Sequence, residues 1–140
     1  MKSFKLLTLM AIAIFTMSSS FGQILDSGNL IGLHSYDITL NDGVTPDQFE
    51  TFYLEKYIPA IEESMHGVKV KLLKGERGEY KGNYGVIMYF KSLKDRDYWI
   101  PEPSTMSEEG KKAMEKLQPM MDKMKEMMTF ESKWTDWIIL

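Results

Sequence analysis

The stretch that most constrains this chain is the run from Leu30 to Leu40 together with the turn and helix start behind it. The run is rich in β-compatible residues and closes on Asn41-Asp42-Gly43, a strong turn signal. Thr45-Pro46-Asp47-Gln48 comes next, where Thr45 suits an N-cap, Pro46 the first helical position and Gln48 the far side of a capping box. A strand that feeds a helix across one short turn is thus written into the sequence. Alternation divides the strand into two faces, one carrying Leu30, Gly32, His34, Tyr36, Ile38 and Leu40, the other Ile31, Leu33, Ser35, Asp37 and Thr39.

The helix places Phe49, Phe52, Tyr53, Tyr57 and Ile61 at spacings of three and four, with Glu50, Glu55 and Glu62 turned elsewhere. Pro59 predicts a kink or early end near Tyr57, because proline lacks a donor and crowds the preceding turn. After His66-Gly67, two strands are expected over Val68–Lys74 and Tyr84–Lys91, joined as a hairpin by a charged connection containing Gly75, Gly78 and Gly82. Ser92 can cap a short helix reaching Ile100, stopped by Pro101 and Pro103. Ser107-Glu108-Glu109 starts a longer helix towards Met128, and Lys133–Leu140 reads as the last strand. The order strand, helix, strand, strand, helix, strand predicts an α+β domain of ferredoxin-like βαββαβ type with a four-stranded antiparallel sheet.

Ahead of this domain, Met1-Lys2-Ser3-Phe4-Lys5 is basic, Leu6 to Met17 is apolar, and Ser18 to Gln23 is a small-residue exit. That order is a secretory signal peptide, assigned to residues 1–23, with the domain over 24–140. The apolar run is too short for a permanent membrane anchor, since spanning a bilayer takes roughly 20 residues. The expected destination is the periplasm or the exterior. With no cysteine in the chain, neither disulfides nor thiolate metal sites can hold the fold, and stability has to come from packing. A formal net charge of −3 argues against nucleic acid, whose phosphates are bound by clustered Lys and Arg.

Both faces of the third strand are partly apolar, Tyr84, Val86, Met88 and Phe90 on one and Ile87 and Tyr89 on the other; the last strand sets Trp134 and Ile138 opposite Trp137 and Ile139. Two helices cover one face of such a sheet, so the second is expected to pack against another copy, giving a homodimer joined sheet to sheet. At the level of Gly32-Leu33-His34-Ser35-Tyr36, Phe49-Glu50-Thr51-Phe52-Tyr53 and Tyr57-Ile58-Pro59, the chain resembles the dimeric α/β-barrel superfamily, and within it the EthD-like small barrels. Those families tend to carry a His-x-Pro on the first helix, where this chain has Tyr57 in place of the histidine. The resemblance implies a dimeric barrel and admits cofactor-free monooxygenases, cyclases, isomerases, haem-dependent dismutases and domains of unassigned activity.

His34 is the candidate acid or base, because an imidazole titrates near neutral pH; the alternative is a hydrogen-bonded lining residue. Tyr36, Tyr53, Tyr57, Trp99 and Trp134 are candidates to line an apolar ligand pocket between sheet and helices, or else ordinary core. His66 reads as a loop residue, and Asp136 as an inward carboxylate for which the sequence offers no partner. Met114, Met120, Met121, Met124, Met127 and Met128 are half of the 12 methionines. Thioethers at helical spacing can hold Cu(I), but methionine is also a flexible gap-filler in cores. No Walker loop, nucleophile elbow, His-Glu-x-x-His or Gly-rich dinucleotide turn occurs, and no cofactor is implied. The expectation is an exported protein that binds a small apolar or aromatic molecule. The alternatives are a cofactor-free enzyme with His34 as base, and Cu(I) handling by the methionine helix.

Overall fold

The computed structural model describes residues 26–101 and 105–140, without the side chains of Tyr36 and Ser132. The expected signal segment lies outside the described residues. The elements are β1 (Leu30–Leu40), α1 (Pro46–Phe52), a π turn (Tyr53–Tyr57), α2 (Ile58–Ser64), β2 (Lys69–Lys74), β3 (Tyr84–Phe90), α3 (Leu93–Trp99), α4 (Glu108–Met127) and β4 (Met128–Ile138). The strands form one antiparallel sheet in the order β2-β3-β1-β4, with the helices on one face. This is the ferredoxin-like α+β fold.

The capping box forms: the Gln48 amide donates to Thr45 Oγ1 at 3.3 Å, and the Thr45 amide donates to Gln48 Oε1 at 2.9 Å. Pro59 does not end the helix. A prolyl ring crowds the carbonyl four residues earlier, and the chain widens there into the π turn, in which the Ile58 amide donates to the Tyr53 carbonyl. The widening has a packing consequence. In a straight α-helix, residues spaced by four drift around the axis by about 40° per step; the π turn takes up that drift and keeps Phe49, Tyr53, Tyr57 and Ile61 all buried.

β4 begins at Met128, five residues before the expected start at Lys133. The cause lies in β1, whose pairing with β3 stops at Tyr36↔Tyr84. From Asp37 to Leu40 it pairs with Glu131 to Met128. Asn41 secures the junction, its side-chain amide donating to the carbonyls of Lys125 (3.1 Å) and Glu126 (2.9 Å) at the end of α4. Met124 and Met128 are buried, while Met114, Met120, Met121 and Met127 pack partly buried against the same core. The methionine stripe therefore fills space under α4.

Residues at even positions of all four strands face the helices. Leu30, Val70, Val86 and Phe90 are buried there. The odd positions form the opposite face, where Leu33 (36 % exposed), Leu73 (39 %) and Trp137 (59 %) lie open. At the β2 edge, Glu62 accepts from the Val70 amide (2.9 Å) and pairs with Lys69 (2.7 Å), blunting a strand that would otherwise offer a free backbone donor.

Candidate functional site

The site is assembled from the pairing register. His34 of β1 stands opposite Trp134 of β4, and Gly32 opposite both Asp136 of β4 and Met88 of β3. A side chain at position 32 would place its first carbon 3.0 Å from Asp136 Oδ1 and 3.7 Å from His34 Nε2. Glycine is thus what lets the carboxylate and the imidazole lean over the same patch of backbone. His34 and Trp134 stack loosely, ring centroids 6.3 Å apart and planes 24° from parallel.

The third polar group arrives on α3. Ser92 caps this short helix, accepting from the Asp95 amide (3.2 Å), and the helix buries Arg96 and Trp99, three residues apart, against the sheet. Arg96 Nη2 meets Asp136 Oδ2 at 2.8 Å, and Nη1 donates to the Ile100 carbonyl. The guanidinium lies 5.7 Å from the Trp134 ring centre. Arg96 is 6 % exposed, so its charge is taken out of water and has to be paired. The pair pins the end of α3 to β4. Beyond it, Ser107 holds the start of α4 to the same turn, its amide donating to the Trp99 carbonyl at 3.0 Å. Gly110 permits that contact, since a side chain there would fall 2.3 Å from the Trp99 oxygen.

Between the sheet and this turn lies a pocket of about 200 Å³, lined by His34, Met88, Phe90, Arg96, Ile100, Met106, Trp134 and Asp136. Its walls are largely apolar, with the polar groups gathered on one side. Burial pushes the His34 imidazole below the ordinary histidine value; Asp136 opposes this and Arg96 adds to it. At neutral pH the ring is accordingly neutral, with one acceptor and one donor nitrogen. The arrangement can orient a small ring, or take a proton from one.

Of the residues singled out from sequence, His34 and Trp134 line this pocket. Tyr53 and Tyr57 do not join them. They sit in an aromatic cluster with Phe49 and Tyr84, with centroid separations of 5.0 Å (Tyr53–Tyr57), 5.5 Å (Phe49–Tyr53) and 4.9 Å (Phe49–Tyr84). Burial there pushes the Tyr57 hydroxyl upward. The Tyr84 hydroxyl donates to Glu50 Oε1 (2.6 Å), which also takes Lys74 Nζ (2.6 Å). Trp99 is buried one residue before the pocket-lining Ile100 and borders a separate, open depression with His66 and Tyr98. The Tyr36 backbone pairs with Tyr84 and Ser132, and its side chain lies outside the described part of the molecule. Sequence reasoning left Arg96 out. The available signal was its position three and four residues before Trp99 and Ile100, which puts a charge on the buried stripe of a short helix.

No protein-family model matches the chain, and no curated protein matches it. Among solved structures, the chain is similar to a dimeric protein of unknown function and ferredoxin-like fold from Bacteroides fragilis, at 15% identity and a TM-score of 0.43, covering 79% of this chain and 96% of that one. It is also similar to part of a VAO-type flavoprotein from Myceliophthora thermophila, at 13% identity and a TM-score of 0.37, covering 79% of this chain and 19% of that one.

Proposed function

We propose that this protein binds a small, largely apolar molecule in the pocket beside His34, as an exported homodimer of the dimeric α/β-barrel type. One observation carries the reading: an apolar pocket of about 200 Å³ has its polar groups, His34, Arg96 and Asp136, gathered on one wall. Size decides the class of occupant. A buried apolar cavity of roughly 150 Å³ already accepts benzene, so the pocket has room for a single ring. Burying a ring of roughly 150 Å² contributes about 4 kcal/mol at 25 cal/mol per Å² before association costs. The expected affinity is accordingly weak, about millimolar at best for the bare ring.

Calorimetric titration with toluene tests the reading. Saturable one-site binding to the wild type, abolished by Ile100→Phe, which fills the pocket, supports it. Absence of saturable binding by toluene and by single-ring probes with a polar group alike refutes it. Export is read from the segment before Ile24, and intact-mass measurement of periplasmic material checks it. The homodimer is read from the open sheet face carrying Leu33, Leu73 and Trp137. Light scattering at micromolar concentration should give twice the subunit mass, and a Trp137→Lys variant should give the monomer.

The neutral imidazole favours a second reading, in which His34 is the general base of a cofactor-free reaction on the same molecule. The two separate cleanly. An orienting His34 predicts that His34→Ala weakens binding by about fivefold, the usual worth of one hydrogen bond. A catalytic His34 predicts loss of turnover by roughly a hundredfold with affinity little changed.

A further inference from the structure

The charge arrangement around the pocket narrows the class of ligand, given the reading that this pocket is the binding site. Arg96 is spent on the protein: Nη2 holds Asp136 Oδ2 at 2.8 Å and Nη1 holds the Ile100 carbonyl. The guanidinium therefore closes the turn after α3 and is a poor anchor for an incoming anion. Among the described residues, the Asp136 carboxylate is paired through Oδ2. Its Oδ1 leans over Gly32, 3.0 Å from where a side chain would begin, with His34 Nε2 3.7 Å from the same point. Among the described residues, the pocket thus presents the Asp136 carboxylate beside the His34 imidazole and the paired Arg96, and the rest of its lining is apolar.

Three kinds of single-ring molecule can be compared on this surface. A carboxylate brings a negative charge against Asp136, and the cation it meets among the described lining residues, Arg96, is already paired. An ammonium meets Asp136, but it adds a net charge to a site where Arg96 and Asp136 already cancel, and charge moved from water into apolar surroundings is costly unless newly paired. A neutral hydroxyl donates to the carboxylate and leaves the charge balance unchanged. A hydrogen bond to an ionised acceptor is stronger than one between neutral groups. We infer that the pocket selects a neutral, single-ring molecule bearing a hydrogen-bond donor, of the phenol type, with the hydroxyl on the Asp136 carboxylate.

The test is a series of four probes of one ring size, phenol, toluene, benzoate and benzylammonium, titrated calorimetrically into the purified protein at neutral pH and moderate salt. Phenol should bind roughly tenfold more tightly than toluene, a modest share of what a charge-assisted hydrogen bond supplies because Asp136 keeps some contact with water. Benzoate and benzylammonium should both bind more weakly than toluene. In Asp136→Asn the advantage of phenol over toluene should shrink to about threefold or less, with toluene itself unchanged. Gly32→Ala, which displaces Oδ1 while keeping the charge, should shrink it likewise, so the inference stays testable if one variant fails to fold. Equal binding of phenol and toluene, or a preference for either charged probe, overturns the inference while the pocket reading stands. Failure of all four probes to bind removes the pocket reading and the inference together.

Discussion

The helix-covered face of the sheet has two ends that the chain treats differently. Around Tyr84, paired with Tyr36 in the second half of β1, the space is filled by Phe49, Tyr53 and Tyr57 with ring centroids within 5.5 Å of their neighbours. Around His34 and Gly32, in the first half, the same sheet is left with a pocket of about 200 Å³. The long first helical segment, regularised by its π turn, delivers a large ring every four residues to the filled end. The other end is covered by the seven-residue α3. An aromatic residue on the inner face is therefore core or pocket lining according to which helix lies above it, and not according to its type.

The contrast is sharpest under truncation. Phe49→Ala at the filled end should destabilise the protein by about 3–4 kcal/mol, since Phe49 is fully buried and its removal leaves a cavity. Met106→Ala borders space that is already empty and should cost about 1 kcal/mol or less. Denaturant midpoints measured at constant m-value separate the two. Equal costs would break the comparison.

Arg96→Leu should come next, at about 2 kcal/mol. Losing one partner of a buried pair costs more when the other is sealed in, and here the Asp136 side chain is 25% exposed, so water takes part of the load. The same variant should loosen the turn after α3, visible as faster amide exchange at Ile100, whereas exchange around Tyr53 should be unchanged. Tyr84→Phe at the filled end removes the hydroxyl that binds Glu50 and should cost about 1 kcal/mol.

These sites also show which parts of the architecture were legible. β1, the capping box at Thr45, the order of elements and the ferredoxin-like fold follow from alternation, turn residues and caps, all of which act over a few residues. The early start of β4 was not, because Met128–Glu131 is extended by pairing with a β1 that outruns β3, a condition set by a segment far away in sequence. The same holds for the site. His34 and Trp134 were placed on inward faces by period two, and they do line the pocket. Tyr53 and Tyr57 share the inward direction but lie under the other helical segment, a distinction that periodicity does not contain. Asp136 was visible as an inward carboxylate, and its partner Arg96 is brought to it only by the fold.

The smallest expected effect concerns pH. The folded-state value of His34 lies below its ordinary 6.5, so the unfolded chain binds the proton more readily. By linkage, the stability carried by the neutral ring is present above pH 6.5 and declines as pH falls from there towards the lowered folded value. Glu50 and Glu62, both held below the ordinary glutamate value of 4.5, add their own loss only at lower pH. His34→Gln should flatten the stability profile just below pH 6.5 while leaving the steeper acid limb in place. An unchanged slope in that window would mean that His34 is as well solvated as a histidine in the unfolded chain.

The central claim is that the two ends differ in occupancy, one packed and one able to accept a guest. A crystal of the protein pressurised with xenon, which enters apolar cavities without needing hydrogen bonds, tests it most directly. The account predicts xenon density in the pocket bounded by Met88, Phe90, Ile100, Met106 and Trp134, and none among Phe49, Tyr53 and Tyr57. Xenon lodged in the aromatic cluster, or found at neither end, would contradict it.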